Sequence, residues 1–246
     1  MNMLDPVLLS AVAFAFCIAG FVKGMVGLGL PTVSLGLLSL FVDLPTAMAL
    51  LVMPSLVTNI WQAIVGSDFA RLFRRLWLFL LLAVTMVHFG SELFTMVETA
   101  ILERALGALL LLYALLALIG KTFQLSPMQE KVSGPICGAV NGMLTGLTGT
   151  LFVPGVMFLQ AIGLSRDALV QAMGMLFAAS TASLGLALYW HGLMPFDVGI
   201  LSFAALLPAL FGMGVGRAFR GHLSHDLFRR LFLIAIGLLG SHIFLS

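Results

Sequence analysis

The chain has 246 residues, 61% of them hydrophobic and only 9% charged, with a formal net charge of +2. Its mean hydropathy is +1.15, and a globule of that composition lacks the polar surface to dissolve in water, so the chain belongs in a bilayer. Alternating polar strands are absent and apolar runs of helix length follow one another closely, which excludes a membrane barrel and predicts an all-α polytopic membrane protein.

The first residues, MNMLDP, carry no positive charge and include Asp5, so the N-terminus is expected to be retained. Pro6 suits a helix start, and the apolar run from Val7 to Val22 makes a first helix that ends at a break holding Gly24, Gly27 and Gly29. Pro31 fits the first turn of a short second helix that reaches about Val42, where Asp43 and Pro45 end it. Ala47 to Val65, kinked at Pro54, is the third segment, and Gly66, Asp68, Arg71, Arg74 and Arg75 form a charged loop. Leu76 to Phe94 is the fourth. Thr99 to Ile119 is the fifth and stops at Gly120 and Lys121.

The polar run from Gln124 to Ser133 then links two halves, dividing the chain into residues 1–123, 124–133 and 134–246. The second half opens with a short helix from about Ile136 to Thr145, a break with Thr148 and Thr150, and a further short helix from about Leu151 to Ile162. Ala168 to Trp190, Phe196 to Gly216 and Phe228 to Leu245 complete it, with Pro208 and the series Gly212, Gly214 and Gly216 allowing a bend and close helix contact.

The second half is a weakened copy of the first. Gly20, Gly24 and Met25 match Gly138, Gly142 and Met143 at a constant offset, which then grows by three residues as Gly27 pairs with Gly146, Leu44 with Leu164, Ala47 with Ala168 and Asn59 with Ser180. Five segments is an odd number, so the second copy is inverted relative to the first. With that count Lys23, Arg71, Arg74, Arg75, Lys121, Lys131, Arg166, Arg217, Arg220, Arg229 and Arg230 fall on one side, which the preference of basic loops makes cytoplasmic. Arg104, beside Glu103, is the exception. Reading each broken pair as one continuous span scatters the arginines over both sides. The expectation is therefore two inverted repeats of five segments, with both termini on the outer side.

At 1.5 Å per residue a helix from Pro31 to Asp43 reaches about 20 Å, against a hydrocarbon layer of about 30 Å. Its start, and that of its partner near Leu151, is thus expected near the bilayer middle, the two pointing in from opposite sides. Free backbone N–H groups and the positive ends of two helix dipoles favour an anion there. Interruptions at corresponding places in two halves point to a transporter's site. The competing reading of the glycines is close helix crossing.

The paired G-x-x-x-G-x-x-G-x-G stretch, followed by Leu44, Pro45, Ala47, Ala49, Thr58 and Asn59 and echoed in the second half, resembles the TauE/SafE, or toluene sulfonate uptake permease, family over nearly the whole chain. The resemblance implies a bacterial inner-membrane carrier of a small sulfur-containing organic anion such as a sulfonate or sulfite, with no cofactor and, as partners, its substrate and membrane lipids. No nucleic acid is implied, and the chain is expected as a monomer or homodimer. The second copy departs from the first at Asn141, where Lys23 stands in the first, and at Thr145 and Thr148.

Lys23 is the one basic residue within the broken stretches and fits either as a point charge for a sulfonate or as a cap that snorkels from the end of the first helix. Asn141 is its counterpart. Gly24, Gly27, Gly29, Gly142, Gly146 and Thr148 line the breaks, and Asn59, Gln62, Gln171 and Ser180 are neutral donors at membrane depth, suited to a ligand or to interhelical bonds. His88 is a candidate for proton coupling or a simple helix contact. Trp61, Phe69 and Tyr189 suit a cavity wall, Trp77 and Trp190 an interface anchor. Cys17 and Cys137 stand apart in apolar segments and read as packed side chains, so no metal site is expected. No H-E-x-x-H occurs, the histidines are scattered and no acid stands mid-membrane, which argues against catalysis. An anion channel or a structural subunit of a membrane complex are the alternatives to a carrier.

Overall fold

A computed structural model describes residues 5–120, 124–220 and 225–245, so Lys121 and Ser246 lie outside the described residues. The helices are α1 (Pro6–Val26), α2 (Leu30–Leu38), α3 (Leu44–Ile64), α4 (Phe69–Met96), α5 (Thr99–Ile119), α6 (Pro127–Thr148), α7 (Gly155–Ala161), α8 (Arg166–Trp190), α9 (Phe196–Ala204), α10 (Leu206–Phe219) and α11 (His225–Leu245). Among the described residues there is no strand. Seven helical stretches there are long and apolar enough to cross a membrane, with α9 and α10 acting as one.

Local chemistry sets the boundaries. The Asp5 carboxylate accepts from the Val7 amide at 3.0 Å and Pro6 occupies the first turn, so α1 starts there. It stops at Gly27, whose φ of +86° lets its amide fold back onto the Lys23 carbonyl. Gly29, at φ +109°, turns the chain into α2. A side chain at such φ values costs about 1–2 kcal/mol, so glycine is required at both ends of this break. Asp43 caps α3, accepting from Thr46 at 3.2 Å, and Ser165 caps α8, accepting from Ala168 at 3.3 Å. Within α3, Thr58 Oγ1 donates to the Pro54 carbonyl at 2.7 Å, one turn back, beside the position where proline interrupts the ladder.

Three expectations are corrected. Arg71, Arg74 and Arg75 do not sit in a loop but in the first turns of α4, which runs for 28 residues. The polar stretch expected as a linker is largely helical: Ser126 and Gln129 form a capping box, Pro127 takes the first turn, and α6 runs for 22 residues in place of the short helix expected from Ile136. Its first turns are exposed, and so their polarity reflects the aqueous rim. The short helices are also briefer, with α2 ending at Leu38 and α7 confined to seven residues from Gly155. The bend allowed in the ninth segment falls at Ala205, just ahead of Pro208, and agrees with the expectation.

The main interhelical packings are α1 on α10, α6 on α4, α3 on α8 and α5 on α11. Small residues permit the closest of these. A Cβ on Gly20 would strike the Ala209 carbonyl and one on Gly24 the Met213 carbonyl; on α6, Gly138 meets Phe79 and Gly142 meets Ala83 in the same way. Basic side chains gather at one end of the bundle. There Arg75 donates two bonds of 2.7 Å to Glu130 on α6 and one of 2.9 Å to the Ile162 carbonyl after α7, and Arg229 on α11 reaches the Ala117 carbonyl of α5 at 3.1 Å. At this end α1, α3, α5, α7 and α10 finish and α4, α6, α8 and α11 begin. Asp43 and Glu103, the neighbour of Arg104, line a depression elsewhere, where α3 begins.

Candidate functional site

A cavity of about 760 Å³ opens at the basic end, between the last turns of α1, α3 and α10 and the first turns of α8. Its mouth carries the exposed side chains of Arg217, Arg220, Asp167 and Trp61, and at its inner wall lies Lys23, only 5% exposed. A long cationic side chain near a helix end would be expected to turn outward. Lys23 instead turns across to α3, where Nζ donates to Thr58 Oγ1 at 3.1 Å and to Asn59 Oδ1. The capping role is filled otherwise: Arg220 Nε donates to the Met25 carbonyl at 2.9 Å and so meets a free carbonyl at the end of α1.

Behind the ammonium a polar relay continues through the protein. Asn59 Nδ2 donates to Ser55 Oγ at 3.0 Å, and Ser55 Oγ lies 3.3 Å from Thr181 Oγ1 on α8. Asn59 is fully buried and its amide is thereby oriented, with its oxygen toward Lys23. An ammonium has three donors, and the neutral partners on α3 take two of them. Since Lys23 also lines the cavity, the remaining donor and the charge itself are available to an occupant.

The expected residues separate into two groups. Gly24, Gly27, Gln62 and Gln171 line this cavity with Lys23, and Asn59 backs it. Gln62 Nε2 donates to the Val170 carbonyl at 2.8 Å, while Gln171 spends its amide on the Ala63 and Gly66 carbonyls and accepts from the Asp68 amide at 3.1 Å. These two glutamines therefore fasten α3 to α8 and shape the wall. Gly29 is outside the cavity, its missing side chain leaving room for Val22 and Phe232.

The second break is built differently. Asn141 is fully buried, and its Oδ1 accepts from the Gly155 amide at 3.0 Å, satisfying a donor at the start of α7. Its Nδ2, Ser180 Oγ and Thr32 Oγ1 have no hydrogen-bond partner among the described residues. Gly142 and Gly146 are filled by the backbone of α4, at Ala83 and Val87, and Thr148 Oγ1 bonds the Leu144 carbonyl and Thr150 Oγ1, both at 2.8 Å. His88 Nε2 lies 3.3 Å from Ser183 Oγ and its ring is 5.3 Å from that of Trp190, a contact of α4 with α8 away from this cavity. Sequence reasoning missed Arg217 and Arg220 as cavity residues. The signal was present in the glycine series before them, which brings α10 against α1 at Cys17 and Phe21.

Residues 12–243 match the family model described as Sulfite exporter TauE/SafE. No curated protein and no solved structure matches the chain.

Proposed function

The chain belongs to the TauE/SafE family of membrane transporters, and from that premise we propose that it carries a small sulfur-containing organic anion, a sulfonate or sulfite, across the bacterial inner membrane. The observation that carries this reading is Lys23: a buried amino group held by neutral acceptors, facing a cavity whose mouth bears Arg217 and Arg220. Burying a charge without a counter-charge is costly, so the arrangement favours an anionic occupant that supplies one. The arginines add a field that draws anions to the mouth. The substrate-binding group is then Lys23, Gly24, Gly27 and Gln62, with Asn59 and Gln171 holding it; at the second break Asn141 and Ser180 would serve the opposite approach, with Gly142, Gly146 and Thr148 holding that break together.

Alternating access between two inverted halves is the proposed mechanism. It is supported by the packing, in which the first helix of each half lies on the fourth helical span of the other, the third on the third and the fifth on the fifth. It is supported too by direction, because α1 finishes at the basic end whereas α6 begins there. Placing the basic end in the cytoplasm puts both termini in the periplasm. Uptake of labelled sulfite and labelled methanesulfonate into proteoliposomes tests the proposal. Saturable uptake with counterflow is expected, and flux that never saturates or is absent for both anions contradicts it.

A further inference from the structure

Among the described residues, the charges facing Lys23 are unbalanced. From α3 it meets Thr58 and Asn59, both neutral; α2 has no titratable side chain; α10 presents Arg217 and the residue that follows the helix is Arg220, both of the same sign as Lys23. On α11, Arg229 is turned to the Ala117 carbonyl of α5. Across the cavity α8 contributes Gln171, committed to backbone carbonyls, and Asp167, an exposed side chain at the rim and the one carboxylate lining the cavity among the described residues. The described residues thus supply Lys23 with oriented neutral acceptors and like charges, and leave its counter-charge to the occupant.

We propose that Lys23 couples transport to protons: an anion bound in the cavity and a proton on Lys23 Nζ bind together, so that the carrier moves the anion with a proton as a neutral pair. The inference rests on the anion site proposed above and adds the coupling ion to it. Its physical basis is reciprocity. An anion stabilises the ammonium over the amine, so the proton must raise the affinity for the anion by the same factor. A lysine on an apolar helix can serve this way because its amine form is stable in the interior, whereas arginine keeps its proton. Only O–H and N–H bonds change: hydronium or water at the cavity mouth gives a proton to the Nζ lone pair, leaving water or hydroxide, and the proton returns to water when the anion leaves. The relay through Asn59 and Ser55 to Thr181 keeps Nζ in place in both forms, since hydroxyls and an amide oxygen accept from an amine as from an ammonium. His88, which bonds Ser183 outside this cavity, has no part in it.

The test uses the purified full chain in weakly buffered detergent solution with methanesulfonate, sulfate and nitrate as probes, none of which titrates near neutral pH. Binding is measured by calorimetry and proton uptake by a pH dye over about pH 6 to pH 10. The inference predicts uptake that approaches one proton per anion at the alkaline end, where affinity falls by up to about tenfold per pH unit. Lys23→Arg should bind the probe with an affinity independent of pH and without proton uptake, and His88→Gln should behave as the wild type does. Binding by the wild type at constant affinity with no proton uptake overturns the coupling and leaves the anion site standing. Proton uptake that persists in Lys23→Arg or disappears in His88→Gln assigns the proton elsewhere and also overturns it. Failure of every probe to bind at any pH overturns the coupling together with the site reading.

Discussion

Replacing Lys23 by methionine together with Asn59 by leucine should make the protein more stable and unable to hold an anion. Lys23 is only 5% exposed, so its charge is almost wholly removed from water. Taking such an ion into the interior costs several kcal/mol even after relaxation, a cost that giving up the proton limits but does not remove. Against it stand two hydrogen bonds, to Thr58 and Asn59, worth about 1.5–3 kcal/mol each when the donor is charged. Lys23→Met alone would strand Asn59 Oδ1, at about 1–3 kcal/mol, which is why Asn59→Leu accompanies it. Thr58 keeps its bond to the Pro54 carbonyl, and Ser55 keeps Thr181. The double variant should gain roughly 1–4 kcal/mol, as when buried ionic groups elsewhere are replaced by apolar ones, or on the order of 5 °C in apparent midpoint for a chain of this size. The assay is thermal unfolding of detergent-purified protein with and without methanesulfonate. Wild type should be stabilised by the anion, by about 2.7 kcal/mol at a hundredfold excess over Kd, and the double variant should not. A double variant that melts well below wild type would refute the reasoning, because Lys23 would then be a structural tie between α1 and α3.

Other outcomes follow from the same geometry. Gly24→Val and Gly142→Val should each separate a helix pair, α1 from α10 and α6 from α4, because a side chain there meets the backbone at Met213 or Ala83; loss of folded protein on size-exclusion chromatography is the expected readout. Gly27→Ala has room beside Arg220 and should cost only the backbone strain, about 1–2 kcal/mol in thermal unfolding. Arg75→Lys keeps the charge but loses the paired bonds to Glu130 and should lower the melting midpoint by a few degrees, the amount equivalent to about 1–2 kcal/mol. In a background lacking Cys17 and Cys137, a cysteine in place of Ser246 should react with an impermeant thiol reagent in intact cells and one in place of Arg220 should not; the reverse pattern would contradict the proposed orientation.

Much of the fold was legible because helix punctuation is local. Glu98 with Thr99 and Gly120 bracket α5 at the residues expected, and Pro6, Gly27, Gly29 and Asp43 mark the first break and its flanks. The start of α6 was equally written, in Ser126, Pro127 and Gln129, but its polar first turns gave the impression of a linker. A helix that emerges from the membrane is polar where it emerges, and hydropathy alone cannot tell it from a loop. The same confusion placed Arg71 to Arg75 outside α4.

For the site, residue type pointed to Lys23, Asn59, Gln62 and Gln171, but roles depended on partners distant in sequence. That Gln171 is spent on the Ala63 and Gly66 carbonyls, or that Arg220 and not Lys23 meets the end of α1, follows from how α8 and α10 pack and is written in no local pattern. The repeat also overstated the likeness of the two breaks. Where Lys23 stands in the first, Asn141 stands in the second and is tied to the α7 backbone, so that duplication of the helices did not duplicate the charge.

The most direct measurement is equilibrium binding of labelled methanesulfonate to purified wild type and Lys23→Gln, which keeps a hydrogen-bond donor and most of the length while removing the charge. If the anion meets Lys23, affinity should fall by roughly tenfold or more, as expected when a charge-assisted bond worth about 1.5–3 kcal/mol is lost. Equal affinity in the two proteins would contradict the account.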